Sequence, residues 1–444
     1  MNPERLKTKR DCFFYGNLHR HLICAALINI AFLPRLYEHG IVNPENERHD
    51  APAARETRSF RSPLFLVPGA ARYGFPEARL VAVNPKQRKK MNILDREFAE
   101  FQTLPTEAKI ERFKRNGHLF DMIISQQLNR EILDEIYEIT TQLRAKSKSK
   151  AGALFIQTLL QHKRAMIFFT QPSSRTFLSF MSACHIVGMK TSEIRDPRVS
   201  SEAKGETFDD SLRTFSSYTD MIIMRNSQKD MSERAAWLLN TYSNRPVPVI
   251  NGGSGSDQHP TQALLDIYTL QRSFEARGGL DDKTILMCGD LRRGRTVRSL
   301  SYLLKNFSGV RIIYAAPTSF QMEREVCEFL ERHHIPYEME TENLSRVLPE
   351  ADAVYMTRIQ DEWDSQADES AGIDTSKFHL GVRDMARVKA HAVIMHPFPR
   401  REEIDVAIDT DPRAMYWRQE RNGMWTRAAL ICYIFRVHQE ILGY

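Results

Sequence analysis

Seven short apolar runs between residues 165 and 396 constrain the fold of this chain more than any other feature. Amphipathic helical patterns separate most of these runs, and such alternation is typical of parallel sheets that are buried on both faces. The sequence therefore predicts an α/β protein with two doubly wound parallel-sheet domains that are joined by helices. The apolar runs are 165–169, 221–224, 247–250, 284–289, 310–316, 353–357 and 392–396.

The helical patterns show a regular spacing of apolar residues. In two of them the apolar positions follow one another in steps of 4, 3 and 4, which places them on one helical face. The two faces consist of Ile132, Ile136, Ile139 and Leu143, and of Ala263, Ile267, Leu270 and Phe274. We expect the sheets to divide near residues 255–280. The first domain is expected at 91–260, completed by a C-terminal helix at 425–444, and the second at 275–415.

The first 90 residues do not follow this pattern. They contain 16 Lys and Arg against 8 Asp and Glu, a net charge of +8, whereas the whole chain carries +6 and the remainder therefore −2. Their apolar stretch at residues 22–34 is shorter than the roughly 20 residues of a membrane-spanning helix. We expect a poorly structured basic extension and no membrane association.

Other interpretations of residues 1–90 stay open. A basic start before the apolar stretch resembles a secretory signal, although no clean cleavage site follows. An organelle transit peptide is favoured over secretion, despite the interspersed acidic residues, and translation from Met91 is a further alternative. The basic excess also suggests nucleic-acid binding. No aromatic-basic stacking pattern supports that idea, so we expect no nucleic-acid partner.

The six cysteines lie far apart in the sequence, and none forms a Cys-x-x-Cys pair. This spacing suggests neither a zinc site nor a disulfide framework. We therefore expect a protein of a reducing compartment, the cytoplasm, that holds no metal ion.

The first segment with a chemical signature is Ser173-Ser174-Arg175-Thr176, between an apolar run and a helical pattern. Backbone N–H groups at a helix start bind anions, and hydroxyl and guanidinium groups add donors for phosphate oxygens. A capped helix with a surface arginine is the alternative, and this segment alone does not decide between the two.

A second segment places a histidine at a helix start. Pro260 suits the first helical turn, so His259 lies at the positive end of that helix, beside a glycine-rich loop at 251–257. A positive helix end lowers the pKa of a histidine, which favours a neutral imidazole that donates a hydrogen bond. A structural histidine in a turn is the alternative.

Three more polar turns follow predicted strands and carry arginines, at 289–297, 356–360 and 396–400. An isolated arginine in such a turn is usually a solvated surface charge. Ligands of open parallel sheets, however, bind at the carboxyl ends of the strands. Together the five segments predict a cleft for a strongly anionic small molecule.

These motifs make the chain from about residue 117 onward similar to the catalytic chains of aspartate carbamoyltransferases. Seven motifs occur in the family's order and near its spacing. They are PSSRT (172–176), KGE (204–206), MR (224–225), QHPTQ (258–262), GDLRRGRTV (289–297), MTRIQ (356–360) and HPFPR (396–400). Ornithine carbamoyltransferases resemble the first half of the chain. They typically have a cysteine-containing HCLP turn where this chain has HPFP, which favours aspartate.

The resemblance implies transfer of a carbamoyl group from carbamoyl phosphate to L-aspartate, a step of pyrimidine biosynthesis, without cofactor, metal or covalent enzyme intermediate. The catalytic residues that it implies are Arg175, Thr176, Lys204, Arg225 and His259. Those implied for carbamoyl phosphate are Ser173, Ser174, Arg175, Thr176, Arg225, His259 and Gln262. Those implied for aspartate are Lys204, Arg295, Arg358, Gln360, Phe398 and Pro399.

The polar loop that carries Ser200 and Lys204 has its own implication. In the family this loop reaches into the active site of the neighbouring subunit, so the resemblance implies a homotrimer with shared active sites. A surface loop with a solvated lysine is the alternative. A regulatory subunit or a dihydroorotase would be a further partner within the range of the family.

The chain departs from common family residues at Phe177, Asn226, Trp363 and Phe398. The phosphate-binding motifs are intact, whereas Trp363 and Phe398 can reshape the acceptor side. A sister transferase with another acceptor, such as ornithine, therefore remains an alternative. A catalytically silent scaffold is a second one, and the intact arginines and His259 speak against it.

Overall fold

The computed structural model describes residues 92–196, 205–364, 370 and 372–443. The predicted basic extension at 1–90, and Ser200 and Lys204 of the predicted cross-subunit loop, lie outside the described residues. Within the described part, no helix combines the length and the apolar character that crossing a membrane requires.

The chain up to residue 274 builds sheet 1 and its helices. Two helices, a short antiparallel hairpin and a helical pair come first: α1 (Ile93–Gln102), α2 (Thr106–Arg112), β1 (Lys114–Arg115), β2 (His118–Leu119), α3 (Arg130–Lys146) and α4 (Lys150–Thr158). Strands and helices then alternate: β3 (Arg164–Phe169), α5 (Ser174–Ile186), β4 (Lys190–Ile194), α6 (Phe208–Tyr218), β5 (Met221–Asn226), α7 (Met231–Tyr242), β6 (Val249–Ser254) and α8 (Pro260–Phe274).

The remainder of the chain builds sheet 2 and the closing helices. Its elements are β7 (Thr284–Cys288), α9 (Arg295–Leu304), β8 (Arg311–Ala315), α10 (Arg324–Arg332), β9 (Tyr337–Glu340), β10 (Ala353–Met356), β11 (Val393–Met395), α11 (Tyr416–Ile434) and α12 (His438–Gly443). The C-terminal helix expected at 425–444 thus begins earlier than the sequence suggests. It is interrupted after Ile434, where Arg436 adopts a left-handed φ of 59°.

Both sheets are parallel among the residues described. The strand order is β4-β3-β5-β6 in sheet 1 and β11-β10-β7-β8-β9 in sheet 2. In sheet 1 the chain moves from β3 outward to β4 and then returns past β3 to β5. In sheet 2 it moves from β7 to β8 and β9 and then returns past β7 to β10. The predicted pair of doubly wound parallel sheets is confirmed.

The apolar runs of the sequence all become strands, but β4 and β9 lack such a run. Both lie at a sheet edge, and most of their residues are exposed or half-buried. An edge strand is covered on fewer sides than an inner strand, so its sequence can stay polar. This is why the apolar pattern missed these two strands.

One apolar core runs continuously from sheet 1 to sheet 2. It includes Ile167 of β3, Leu264 of α8, Ile285 of β7 and Ile431 of α11. Fully burying one such side chain stabilises the fold by about 1.5–3 kcal/mol. Helix α11 packs against α8, α5 and α3, which fastens the end of the chain to the junction of the two sheets.

The predicted helical faces lie in this core. Ile136, Ile139 and Leu143 of α3 are buried, and Ile132 is partly buried against them. Helix α8 is buried on nearly all sides rather than on one face. Its polar residues therefore need partners inside the protein, because a buried polar group without a hydrogen bond is costly.

Candidate active site

In each sheet the strand order reverses once, and the loops that leave the carboxyl ends of the two strands there run in opposite directions. The reversal falls between β3 and β5 in sheet 1, and between β7 and β10 in sheet 2. Ligands of open parallel sheets bind in the crevice at such points. Residues at or after the ends of these four strands line one common cleft of about 520 Å³.

Every predicted site residue that the structure describes lines this cleft. They are Ser173, Ser174, Arg175, Thr176, Arg225, His259, Gln262, Arg295, Arg358, Gln360, Phe398 and Pro399. The structure therefore brings together residues that are more than 220 positions apart in the sequence. Ser200 and Lys204 cannot be compared, since they lie outside the described residues.

Helix α5 begins at the segment that the sequence marks as an anion site. Ser173 is the N-cap residue, and its side chain makes no capping hydrogen bond, so the N–H groups of the first turn receive no cap from it. The N–H groups of Thr170 and Gln171 donate to the carbonyl oxygen of Arg225 at 3.0 and 3.3 Å, which ties the preceding loop to β5. Such a helix start is suited to a phosphate or carboxylate group.

Positive charge is concentrated around Arg225, at the end of β5. This side chain is 8% exposed, its Nη1 donates to the carbonyl oxygen of Gly252 at 3.2 Å, and its Nε has no partner among the described residues. Burial holds the pKa of Arg225 well below its ordinary value. The positive charges of Arg295, Arg175 and Arg427 lower this pKa further. An anion bound in the cleft would compensate this excess of positive charge.

Gly253 makes the close approach of two guanidinium groups feasible. Its backbone φ is 123°, and a Cβ at this position would lie 2.9 Å from Nη1 of Arg225. Glycine tolerates both the dihedral angle and the crowding. Arg295 is fixed from the other side, since its Nη1 donates to the carbonyl oxygen of Gly255 at 2.6 Å. Burial lowers the pKa of Arg295 to about 10.

His259 is the N-cap residue of α8, with Pro260 in the first helical position. Its backbone N–H donates to Oγ of Ser299 at 3.0 Å, and its Nε2 lies 3.5 Å from Oγ1 of Thr176. Burial holds the pKa of His259 well below its ordinary value, and the charges of nearby arginines lower it further. The ring is therefore neutral at pH 7 and can donate a hydrogen bond from Nε2 when that nitrogen carries the proton.

The opposite wall of the cleft belongs to sheet 2. Arg358, after β10, donates from Nη1 to Oε2 of Glu362 at 2.7 Å and to the carbonyl oxygen of Ile359 at 2.8 Å. The N–H of Gln360 donates to the buried carboxylate of Asp290 at 3.1 Å. These bonds hold a guanidinium group and an amide at the acceptor end of the cleft.

The turn at 396–400 is held by a histidine that faces away from solvent. Nδ1 of His396 accepts a hydrogen bond from the N–H of Phe398 at 2.8 Å, so the ring proton is on Nε2, which donates to Glu403 at 2.6 Å. Burial lowers the pKa of His396, although Glu403 opposes this shift. Phe398 has a φ of 52° and precedes Pro399 through a cis peptide bond. The two hydrogen bonds of His396 hold this turn where it lines the cleft.

Two family sequence models match the chain. The aspartate/ornithine carbamoyltransferase carbamoyl-P binding domain matches residues 121–272, and the Asp/Orn binding domain of the same family matches residues 281–434. The two ranges span more than half of the chain and contain both sheets. The chain belongs to the aspartate/ornithine carbamoyltransferase family. The resemblance seen in the sequence motifs is thereby confirmed.

Similar proteins with a known name belong to the same family as this carbamoyltransferase family member. A chloroplastic aspartate carbamoyltransferase from Oryza sativa subsp. japonica is 37% identical, over 70% of this chain and 84% of the relative. The aspartate carbamoyltransferase catalytic subunit of Thermoplasma acidophilum is 39% identical, over 67% of this chain and 92% of its own length. A solved aspartate transcarbamoylase from Trypanosoma cruzi, in complex with carbamoyl phosphate and aspartate, has a TM-score of 0.64 and 31% identity, over 70% of this chain and 95% of the other.

Helix α11 of this carbamoyltransferase family member contributes two charged residues that sequence reasoning missed. Glu420 and Arg427 both line the cleft. Nη1 of Arg427 donates to Oγ of Ser179 at 2.6 Å, and its guanidinium group lies 4.9 Å from the ring centroid of Phe180. Glu420 has no hydrogen bond or ion pair with a described residue, and burial raises its pKa while Arg427 and Arg175 oppose this. For Arg427, the sequence signal was its position directly before the apolar run 428–434, which places a charge at the start of a buried segment.

The structure shows which of the residues that differ from common family residues lie at the cleft. Phe177 is buried in the core, 5.7 Å from the ring centroid of Phe169, and does not line the cleft. Oδ1 of Asn226 accepts a hydrogen bond from the N–H of Gln228, away from the cleft. Phe398 lines the cleft, with its ring centroid 4.9 Å from that of Trp417. The side chain of Trp363 lies outside the described part. Among the described residues, no three His, Cys, Asp or Glu side chains cluster as metal ligands.

Proposed function

We propose that this protein is an aspartate carbamoyltransferase, which transfers the carbamoyl group of carbamoyl phosphate to the amine of L-aspartate and releases phosphate. The observation that carries this proposal is the composition of the cleft. It places an anion-binding helix start and Arg225 of sheet 1 opposite Arg295 and Arg358 of sheet 2. Such a site suits two anionic substrates at once, and the Trypanosoma cruzi relative was solved in complex with carbamoyl phosphate and aspartate.

The phosphate group of the donor would bind at the start of α5. The hydroxyl groups of Ser173, Ser174 and Thr176 and the guanidinium group of Arg175 surround that position. N–H groups of the first turn add donors, and the helix dipole favours negative charge there. No cofactor is needed for this binding, because all the donors belong to the chain.

The carbonyl oxygen of the carbamoyl group would lie between Arg225, His259 and Thr176. Negative charge grows on this oxygen as the amine attacks the carbonyl carbon. A neutral His259 donates a hydrogen bond to it, and Arg225 bridges it to the phosphate. Removing one such preorganised donor typically raises the barrier by about 2.7–4 kcal/mol.

Aspartate would occupy the half of the cleft near sheet 2. Arg295 would hold its α-carboxylate, and Arg358 with Gln360 its β-carboxylate, since a guanidinium group binds a carboxylate through two parallel hydrogen bonds. The backbone carbonyls of Phe398 and Pro399 would accept hydrogen bonds from the amines. Lys204 would complete the acceptor site.

Much of the rate enhancement would come from proximity. The two substrates are anions that repel each other in water, and the cleft offsets that repulsion with fixed positive charge. Holding two reactants in the attack geometry can supply about 7–11 kcal/mol of the barrier. The arginines of the two sheets would therefore act mainly by position.

We also propose that the active form is a homotrimer in which Ser200 and Lys204 enter the site of the next subunit. The family resemblance of the KGE motif at 204–206 supports this proposal. Light scattering should give the mass of three chains. Mixed, refolded Lys204→Ala and His259→Ala chains should regain activity that neither variant has alone. No regained activity would contradict shared sites.

The transferase activity itself can be tested directly. Purified protein with labelled carbamoyl phosphate and L-aspartate should form labelled N-carbamoyl-L-aspartate and stoichiometric phosphate. An Arg225→Gln variant should lose this activity, whereas Arg324→Gln, on the exposed face of α10, should keep it. Turnover with ornithine instead of aspartate would move the protein to a sister transferase. No turnover with any amino acid would favour a silent scaffold.

A further inference from the structure

A carboxylate at the centre of α8 links α11 and β10 of sheet 2 to a side chain that lines the active-site cleft. Asp266 is fully buried and accepts three hydrogen bonds from neutral donors. Nε2 of Gln262 donates to its Oδ1 at 3.0 Å, Nε2 of Gln419 donates to the same oxygen at 2.7 Å, and the hydroxyl of Tyr355 donates to its Oδ2 at 2.8 Å. These three partners come from α8 itself, from α11 and from β10. No Lys, Arg or His of the described part forms an ion pair with this carboxylate.

The orientation of one amide in this network is set independently. Oε1 of Gln419 accepts a hydrogen bond from the backbone N–H of His396 at 2.9 Å. A backbone N–H can only donate, so the amide NH₂ of Gln419 must point the other way, toward Asp266. Oδ1 of Asp266 is therefore an acceptor in this network.

The orientation of the Gln262 amide is set by Asp266. An ionised carboxylate only accepts hydrogen bonds, so Gln262 must turn its NH₂ group toward Asp266. Its carbonyl oxygen Oε1 is then left for the cleft, which this side chain lines. A carbamoyl group carries an NH₂ that needs an acceptor.

We propose that Asp266 is a positioning residue, which fixes the Gln262 side chain so that its oxygen accepts a hydrogen bond from the carbamoyl NH₂ group. This inference rests on the proposed function, because carbamoyl phosphate is the molecule that offers this NH₂ group. Through Gln419 and His396, the same carboxylate is linked to the turn whose backbone lies at the acceptor side. Asp266 thereby aligns the donor half of the cleft with the acceptor half.

The protonation state of Asp266 gives the inference a distinct signature. Burial raises its pKa to about 7, the hydrogen bonds from Tyr355, Gln419 and Gln262 oppose the shift, and Glu420 adds to it. The charged groups that face it are Glu420 and Arg427 of α11, and the titratable hydroxyl of β10 is that of Tyr355. With its proton on Oδ1, a neutral Asp266 would donate to Oε1 of Gln262 and turn the NH₂ of that side chain toward the cleft. That NH₂ cannot accept from the carbamoyl NH₂, so turnover should fall as the pH drops below about 7.

A double-mutant cycle between Asp266 and Gln262 tests the inference. Asp266→Leu removes the acceptor and keeps the branched shape, and kcat should fall by about tenfold to 100-fold because the carbamoyl group is misplaced. In a Gln262→Ala background the same substitution should lower kcat by a clearly smaller factor, because two residues that act through one contact are not additive and only the link through Gln419 to the turn is then lost. The affinity for inorganic phosphate, measured by calorimetry, should stay within about threefold. Equal losses in both backgrounds would overturn the inference.

The conservative variant covers the case in which Asp266→Leu does not fold. Asp266→Asn keeps one acceptor oxygen for the two glutamines and cannot titrate. At pH 8 it should keep kcat within about fivefold of the wild type, and its kcat should no longer fall between pH 7.5 and 6. An unchanged fall with pH in Asp266→Asn would overturn the inference. A wild-type protein without carbamoyl transfer would instead refute the proposed function, which separates the two failures.

Discussion

Oγ1 of Thr176 and Nε2 of His259 lie 3.5 Å apart in the cleft, although 83 positions separate them in the sequence. Each sits at the start of a helix, α5 and α8, so both donors reach the same point. We expect His259→Ala to lower kcat by about 10²–10³-fold, because one preorganised donor to the developing oxyanion is lost. Steady-state kinetics with both substrates would measure this. An unchanged kcat would contradict the role of His259.

The pKa of His259 predicts a dependence of stability on pH. In the folded protein this pKa lies well below the value of about 6.5 of an unfolded chain. As the pH falls below 6.5, the unfolded chain takes up a proton that the folded ring refuses, so the free energy of unfolding decreases. Urea unfolding between pH 5 and 8 should show a weaker decrease for His259→Gln than for the wild type. The exposed His334→Gln serves as control and should follow the wild type. Identical curves for the wild type and His259→Gln would contradict the shifted pKa.

The sequence predicts the residues that line the cleft better than the buried residues that hold them in place. Polar turns at the ends of parallel strands converge by topology, so Arg358 could be placed in the cleft without coordinates, and the family resemblance added Arg225. Asp266 could not, because its position on α8 looks like an ordinary polar position in an amphipathic helix. It is buried because α11 and β10 both pack against α8, and the contact with α11 joins residues 153 positions apart in the sequence. Glu420 could not be predicted either, because only the packing of α11 brings it to the cleft.

Arg358 should determine the affinity for the acceptor. Both Nη atoms of its guanidinium group donate to Glu362, which holds the group at the sheet 2 wall, so a substrate carboxylate would bind there in place of Glu362. We expect Arg358→Gln to lower kcat/KM for aspartate by about 10–150-fold, since hydrogen bonds to charged groups contribute about 1.5–3 kcal/mol. The affinity for inorganic phosphate should not change. Arg324→Gln removes an exposed arginine outside the cleft and should leave both parameters as they are.

Glu420 should weaken the binding of phosphate. It is a carboxylate in a cleft that otherwise attracts anions, and it has no ion pair with a described residue. The substitution Glu420→Gln neutralises this side chain and removes a repulsion of about 1 kcal/mol, so the Kd for inorganic phosphate should fall several-fold. Calorimetry at low and high salt would measure the effect. The exposed Glu440→Gln on α12 is the matched control. A weaker affinity in Glu420→Gln would show that the carboxylate supports the neighbouring arginines rather than opposing the anion.

Gly289 should be required for both stability and activity, because it directly follows β7 and packs against Thr357, which directly follows β10. Its φ is 115°, and a Cβ there would lie 2.0 Å from the carbonyl oxygen of Thr357. Gly278 also has a positive φ, of 84°, but nothing lies within 4 Å of a Cβ at that position. Gly278→Ala should therefore cost only the backbone strain, about 1–3 kcal/mol, whereas Gly289→Ala adds a backbone clash to it. The clash pushes the strand ends apart and displaces Arg295 and Arg358 together, so activity should be lost as well. Urea unfolding and kinetics on both variants would measure this, and equal losses of stability would contradict the steric argument.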